Sequence, residues 1–174
     1  MKTDQESPST HDTEALAIAQ SAFQAARCGD AASLARLLDL GLPPDVRNEK
    51  GDSLLMLAAY HGHAAATALL LERGADPELA NDRGQVPLAG AAFKGDVGIV
   101  RLLLDGGAAV DGAGLIGRAP LLFATMFGRG EVAALLRERG AVAGVSEGGL
   151  PGRGAPWPDA DRLRSAAPFG RWQG

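Results

Sequence analysis

Glycine recurs in this chain at a fixed interval. Gly29, Gly62, Gly95 and Gly128 are each followed twelve residues later by Gly41, Gly74, Gly107 and Gly140, and both series advance by 33 residues; Gly51, Gly84 and Gly117 form a third series with the same period. A period of this length constrains the fold more than composition does. It marks a unit repeated along the chain, too small to bury its own apolar face and stable only when stacked on its neighbours. Between the paired glycines lie LARLLDLG, TALLLERG, VRLLLDGG and AALLRERG, and before each loop glycine lies an alanine-rich stretch, QAARCG, LAAYHG, GAAFKG or FATMFG.

Each unit reads as two short helices. In HAAATALLLERGAD the alanines and leucines recur on one face at helical spacing, charged residues fill the last turn, and Gly74 supplies a positive-φ stop. Ser53 is placed to cap the helix over LLMLAAY, and Pro87 and Pro120 stand where a first-turn proline costs no hydrogen bond. The expected fold class is therefore all-α, a solenoid of helix-turn-helix units joined by hairpin-like turns.

These units resemble the ankyrin repeat, whose pattern runs roughly D-x-x-G-x-T-P-L-H-x-A-A-x-x-G-H and then an apolar helix ending L-L-L-x-x-G-A-D. Residues 48–80 and 81–113 match over their full length, 114–143 match with a weaker ending, and a first unit over 13–47 keeps both helices but lacks the leading hairpin half. The resemblance, to the small single-domain bacterial type, covers about residues 13–143. The family's T-P-L-H is here SLLM, VPLA and APLL. Hydrogen bonds from the threonine and histidine are thus absent or partly replaced by Ser53. Somewhat looser order is expected at the hairpin base, at about 0.5–1.5 kcal/mol for each missing bond.

The resemblance implies an extended concave surface, built from hairpin tips and inner helices, that holds a protein partner. Four units at a helix spacing of about 8–10 Å give a groove roughly 30–40 Å long, enough for about 800 Å² of interface per partner. Carried over position by position, the two residues before each loop glycine are Arg27 and Cys28, Tyr60 and His61, Phe93 and Lys94, and Met126 and Phe127. The corresponding tips are Glu49, Lys50 and Asp52, then Asp82, Arg83 and Gln85, then Leu115, Ile116 and Arg118. Two readings stand for each set. The aromatic positions either anchor an interface or pack on neighbouring hairpins. The charged tips either set specificity at a rim or are ordinary solvated turns. Leu115 and Ile116 mark a contact or a surface covered by the tail.

Charge and cysteine content narrow the remaining classes. The chain has 174 residues, enough for one modest domain, with a formal charge of −4 and a pI near 5.3. This argues against a nucleic-acid or anionic-membrane surface. Cys28 is the single cysteine, so no intramolecular disulfide can form and a cytoplasmic home is expected. No signal peptide is read at the start, and no apolar run approaches the roughly 18–20 residues of a membrane span. Residues 1–12 read as a disordered leader. Residues 144–174, rich in glycine and proline, carry Trp157, Phe169, Trp172 and a short helix near 159–166. This tail is flexible, docks on the stack, or serves as a linear motif.

No phosphate loop, H-E-x-x-H, C-x-x-C or G-x-S-x-G occurs, and the chain is expected not to be an enzyme, with no cofactor and no metal. His61 and His63 look like half a metal site, but Asp30, Asp96 and Arg129 hold the place of His63 in the other units. That is no shared ligand position, and the resemblance gives His63 a structural role. The reading is a non-catalytic interaction module, an adaptor or a regulatory or inhibitory subunit, acting as a monomer on an unidentified protein. The alternative is a ligand- or redox-responsive regulator using Cys28, beside the cation of Arg27, with His61 and the aromatic row.

Overall fold

The computed structural model describes residues 10–112 and 120–141, which form eight α-helices: α1 Thr10–Cys28, α2 Ala31–Asp39, α3 Leu54–Tyr60, α4 Ala64–Glu72, α5 Pro87–Lys94, α6 Val97–Asp105, α7 Pro120–Met126 and α8 Gly130–Glu138. The odd-numbered helices pack on one another in sequence, as do the even-numbered ones, and each odd helix packs on the even helix that follows it. Two helical layers therefore run the length of the stack, as the 33-residue period requires. Leu115, Ile116 and Arg118, the tail with Trp157, Phe169 and Trp172, and residues 1–9 lie outside the described residues.

Local chemistry sets the helix ends. The Ser53 hydroxyl accepts from the Met56 amide at 3.1 Å, and Asp30 and Asp96 accept from Ser33 and Ile99, each at 3.0 Å. These caps satisfy amides that have no partner inside the helix. Pro87 and Pro120 open α5 and α7. At the far end of α4, Gly74 takes φ 82°, which lets the Ala75 amide reach back to the Leu70 carbonyl at 2.9 Å.

The layers share one core. Leu34, Leu54, Leu55, Leu57, Leu70, Leu88, Ile99, Leu103 and Leu136 are fully or almost fully buried, interleaved with Ala58, Ala59, Ala91 and Ala92, whose small side chains let successive inner helices approach closely. Because the apolar faces repeat, hydrophobic burial alone would tolerate sliding along the stack. Polar contacts between neighbouring units fix the register, and they differ from one interface to the next.

Between the first two units, Arg73 meets Asp39 at 2.5 Å and the Asp76 amide donates to Asp45 at 2.8 Å. Between the last two, Arg139 meets Asp105 at 2.8 Å. The middle interface has Gly106 where the others have Arg73 and Arg139; it keeps an outer bond, from the Ala109 amide to Glu78 at 2.8 Å, and is joined besides through its hairpins. Each of the two described hairpins is closed by an asparagine: Asn48 Oδ1 accepts from the Lys50 and Asp52 amides, both at 2.9 Å, and Asn81 Oδ1 accepts from those of Arg83 and Gln85, both at 3.0 Å. Asn81 Nδ2 then donates across the interface to Asp52 at 2.8 Å and within its own hairpin to Gln85 at 3.0 Å. Arg47 adds bonds to the Ala80 carbonyl at 2.9 Å and to Asp82 at 3.4 Å.

Two expectations are revised by these contacts. Asp52 and Gln85, read as tip residues open to a partner, are 1% and 0% exposed, because the residue after the hairpin glycine turns inward and joins the Asn81 ladder. They are unavailable for contact. The hairpin base, which lacks the family's threonine and histidine bonds, is tied by this ladder and by Ser53. In addition, α1 begins at Thr10, inside the stretch read as a leader. It runs for 19 residues, and its extra turns lie where the first unit has no hairpin half.

Replacing Asn81 by Ala strands buried groups of Asp52 and Gln85, whereas Arg73→Ala removes only an exposed ion pair. We expect losses of about 2–3 kcal/mol for the first and less than about 1 kcal/mol for the second. Urea unfolding of the two variants measures both, and equal losses would contradict this ranking.

Candidate functional site

The last turn of each inner helix repeats every 33 residues, so its side chains stack into a row. Tyr60 and Phe93 lie with ring centroids 6.4 Å apart and planes 7° from parallel; Phe93 and Phe127 meet edge to face at 4.6 Å and 78°. Phe123, buried in α7, continues the row at 6.5 Å from Phe127. Aromatic pairs in such arrangements add about 0.5–1.5 kcal/mol each beyond the area they bury. Phe93 and Phe127 are half-buried and lean on the hydrophobic core. Met126 and Tyr60 are half-buried too. These side chains thus pack against the stack and still present a face outward.

Cations flank the row. The Lys94 ammonium sits 4.8 Å from the centre of the Tyr60 ring, a cation–π contact worth about 0.5–1 kcal/mol at an exposed site. Burial pushes the Tyr60 hydroxyl above its ordinary pKa. His61 packs edge-on to Tyr60 at 5.4 Å. Partial loss of water holds its pKa below 6.5, with further lowering from the charges of His63, Lys94 and Arg27. The neutral imidazole is therefore favoured in the folded chain.

His63 has another task. Its Nε2 lies 2.7 Å from the Arg27 carbonyl, and because a carbonyl only accepts, this nitrogen carries the proton. The bond ties the second unit to the end of α1. Arg129, at the matching position two units on, donates from Nε to the Phe93 carbonyl at 3.1 Å. Both reach over a glycine: a Cβ on Gly29 would come within 2.5 Å of His63, and one on Gly95 within 2.6 Å of Arg129. His61 and His63 stack at 6.2 Å, but the second is occupied in the stack. Among the described residues no three His, Cys, Asp or Glu side chains gather to hold a metal ion.

Arg27 and Cys28 part company. Arg27 lines a cleft of about 320 Å³ between α1 and the first hairpin, together with Leu16, Phe23, Arg47, Glu49 and Lys50. Cys28 is exposed on the outward end of the stack, in an open hollow with Ser33, Arg36 and Leu37, and accepts a weak bond from Gln24 at 3.3 Å. The structure thus brings together Arg27, Tyr60, His61, Phe93, Lys94 and Phe127, with Glu49 and Lys50 at one end. Asp82 and Arg83 are exposed at the second tip, Asp82 being held by Arg47. Cys28 lies apart from them.

The α1 cleft was missed from sequence. Leu16, Ala19, Phe23 and Arg27 fall on one stripe of α1, and Leu16 is 60% exposed. The signal was present in the i, i+3, i+7, i+11 spacing. It points to a longer helix once 13–47 is not forced to the length of the later units.

A family model for ankyrin repeats, in three copies, matches residues 22–113 and, overlapping, 69–146. An ankyrin repeat protein of Pseudomonas aeruginosa is 53% identical over 50 residues, which is 29% of this chain and 29% of that protein. The match thus spans less than a third of the relative's length.

Because the folded state disfavours charged His61, its contribution to stability is fully present above the ordinary value of 6.5 and is lost as pH falls through the lowered pKa. We expect the His61 ring proton to titrate in NMR below an unfolded-state histidine, and Lys94→Gln to move it part of the way back. A midpoint at or above the ordinary value would contradict the packing described.

Proposed function

The chain belongs to the ankyrin repeat family, and from that premise we propose that it is a non-catalytic interaction module that holds a protein partner on the row running from Arg27 to Phe127. Ankyrin repeats generally mediate protein–protein interaction. The observation that carries the reading here is the continuity of the row: three flat aromatic rings in sequence, Phe93 pairing with Tyr60 on one side and Phe127 on the other, half-buried and so already ordered before a partner arrives. Rigid side chains of this kind lose little freedom on binding, which is why aromatic anchors dominate interface energetics.

In this proposal the protein is an adaptor or a regulatory subunit, works as a monomer and acts in the cytoplasm. Among the described residues no helix is long and apolar enough to cross a membrane. The make-up of the row also supports contact over chemistry. Its side chains are rings, a thioether and two cations, and His61 is its one group with an ordinary pKa near neutrality. The redox alternative loses its link to the row, since Cys28 sits on the end of the stack.

The test is affinity capture with the wild-type chain, with Tyr60→Ala/Phe93→Ala/Phe127→Ala, and with Arg101→Ala on the exposed side of α6 as control. We expect a partner identified by mass spectrometry to be retained by the wild type and the control and to be lost from the triple variant, provided circular dichroism shows all three folded. Equal retention by the folded triple variant would remove the groove from the account.

A further inference from the structure

Resting on that reading of the row as the contact surface, we propose that its occupant is an acidic peptide segment of the partner. Its carboxylates meet Arg27 and Lys94, and an apolar side chain seats in the α1 cleft against Leu16 and Phe23.

The whole chain carries −4, yet the row positions carry Arg27, His61 and Lys94 and no carboxylate. The charges facing this region from neighbouring elements are Glu49 and Lys50 on the cleft rim and Arg47 beneath it, so the hairpin adds no net negative charge. Asp82 is already engaged by Arg47. A positive strip on a negative protein favours an acidic partner and disfavours most others.

The guanidiniums that register the stack are each paired with an oxygen: Arg47 and Arg129 with carbonyls, Arg73 and Arg139 with carboxylates. Arg27 and Lys94 are not; among the described residues no carboxylate lies within ion-pair range of either. Lys94 is held in place by the Tyr60 ring, a contact that orients its charge without supplying an oxygen to its N–H donors. Arg27 stands where the row meets the cleft, so the two cations bracket Tyr60 and His61.

The cleft exists because α1 extends where a hairpin half is lacking, and it pairs the 60%-exposed Leu16 with the edge of Phe23 in about 320 Å³. That volume suits one large side chain. The chain's own end is the weaker candidate. Residues 145–174 hold three carboxylates, Glu147, Asp159 and Asp161, against four arginines, Arg153, Arg162, Arg164 and Arg171, so that segment matches the sign of the strip.

The experiment is selection of short random peptides displayed on phage against the full chain, followed by fluorescence anisotropy with synthetic copies of the enriched peptides. The expected result is enrichment of Asp and Glu around a bulky apolar residue. Binding of those peptides should weaken with added salt and by about tenfold or more in Arg27→Glu, Lys94→Glu or Leu16→Asp, with Arg101→Glu unchanged. Selection on the folded Arg27→Glu/Lys94→Glu chain should favour basic peptides; if that chain does not fold, Arg27→Gln/Lys94→Gln should remove the acidic preference.

Enrichment of neutral or basic peptides that lose binding on Phe93→Ala would overturn the acidic occupant while leaving the groove as the contact surface. Peptides insensitive to both the cation and the Phe93 changes, or no enrichment at all, would overturn both. Competition with the enriched peptides by oligothymidylate, or by a synthetic copy of residues 145–174, would overturn the proposal in favour of a nucleic acid or the chain's own end.

Discussion

Every feature of this protein depends on one constraint: no helix pair can bury its apolar face without the pair beside it. Leu54, Leu55 and Leu57 on α3 are covered by its partner α4 and by α1 and α5 on either side. Hydrophobic burial, at about 25 cal/mol per Å², is non-directional and supplies cohesion without choosing a register. The register comes from a smaller set of directional bonds, and in such a stack stability is close to a sum of unit and interface terms. A defect at one interface is therefore felt locally first.

The three interfaces meet this need with different chemistry. The first and third use a side chain that reaches over a glycine to the carbonyl ending the preceding inner helix, and an exposed Arg–Asp pair between outer helices. The second has neither. Asp96 caps its own helix and Gly106 replaces the arginine, and the hairpin ladder of Asn48, Asp52, Asn81 and Gln85 takes over. Gly106 also has little room for a side chain, since a Cβ there would lie 2.8 Å from Leu71. The aromatic row runs across all three interfaces, so its geometry is inherited from these bonds. His63 and Arg129 grip the backbone of Arg27 and Phe93, which are themselves row residues.

Much of this was legible in the sequence because glycine, alanine and leucine report directly on turns, close approach and burial. The two-helix unit, the Ser53 cap and the row from Tyr60 to Phe127 follow from spacing together with the family resemblance. Less legible were positions where polarity did not mean exposure. Asp52 and Gln85 look like surface residues in the sequence, yet they are buried: Asn81 donates to Asp52 Oδ1, 29 residues away, and to Gln85 Oε1, while Gln85 Nε2 has no partner among the described residues. Arg27 and Cys28 are adjacent in the chain but face different surfaces, as neighbouring helix positions do. The length of α1 was hidden because the later units set the expectation for the first.

Burial and binding make opposite demands on the row. Side chains held by the core cannot all be offered to a partner, and Phe93 and Phe127 sit at the compromise, half-covered and in contact with each other. The central claim is that this face, and not the outer helices, receives the partner. Its most direct test places a photo-reactive phenylalanine analogue at Phe93 in one chain and at Arg101 in another, and maps the adducts formed in a lysate. The account predicts that a discrete adduct with one partner forms from position 93 and is absent from position 101. An adduct formed from 101 and absent from 93 would contradict it.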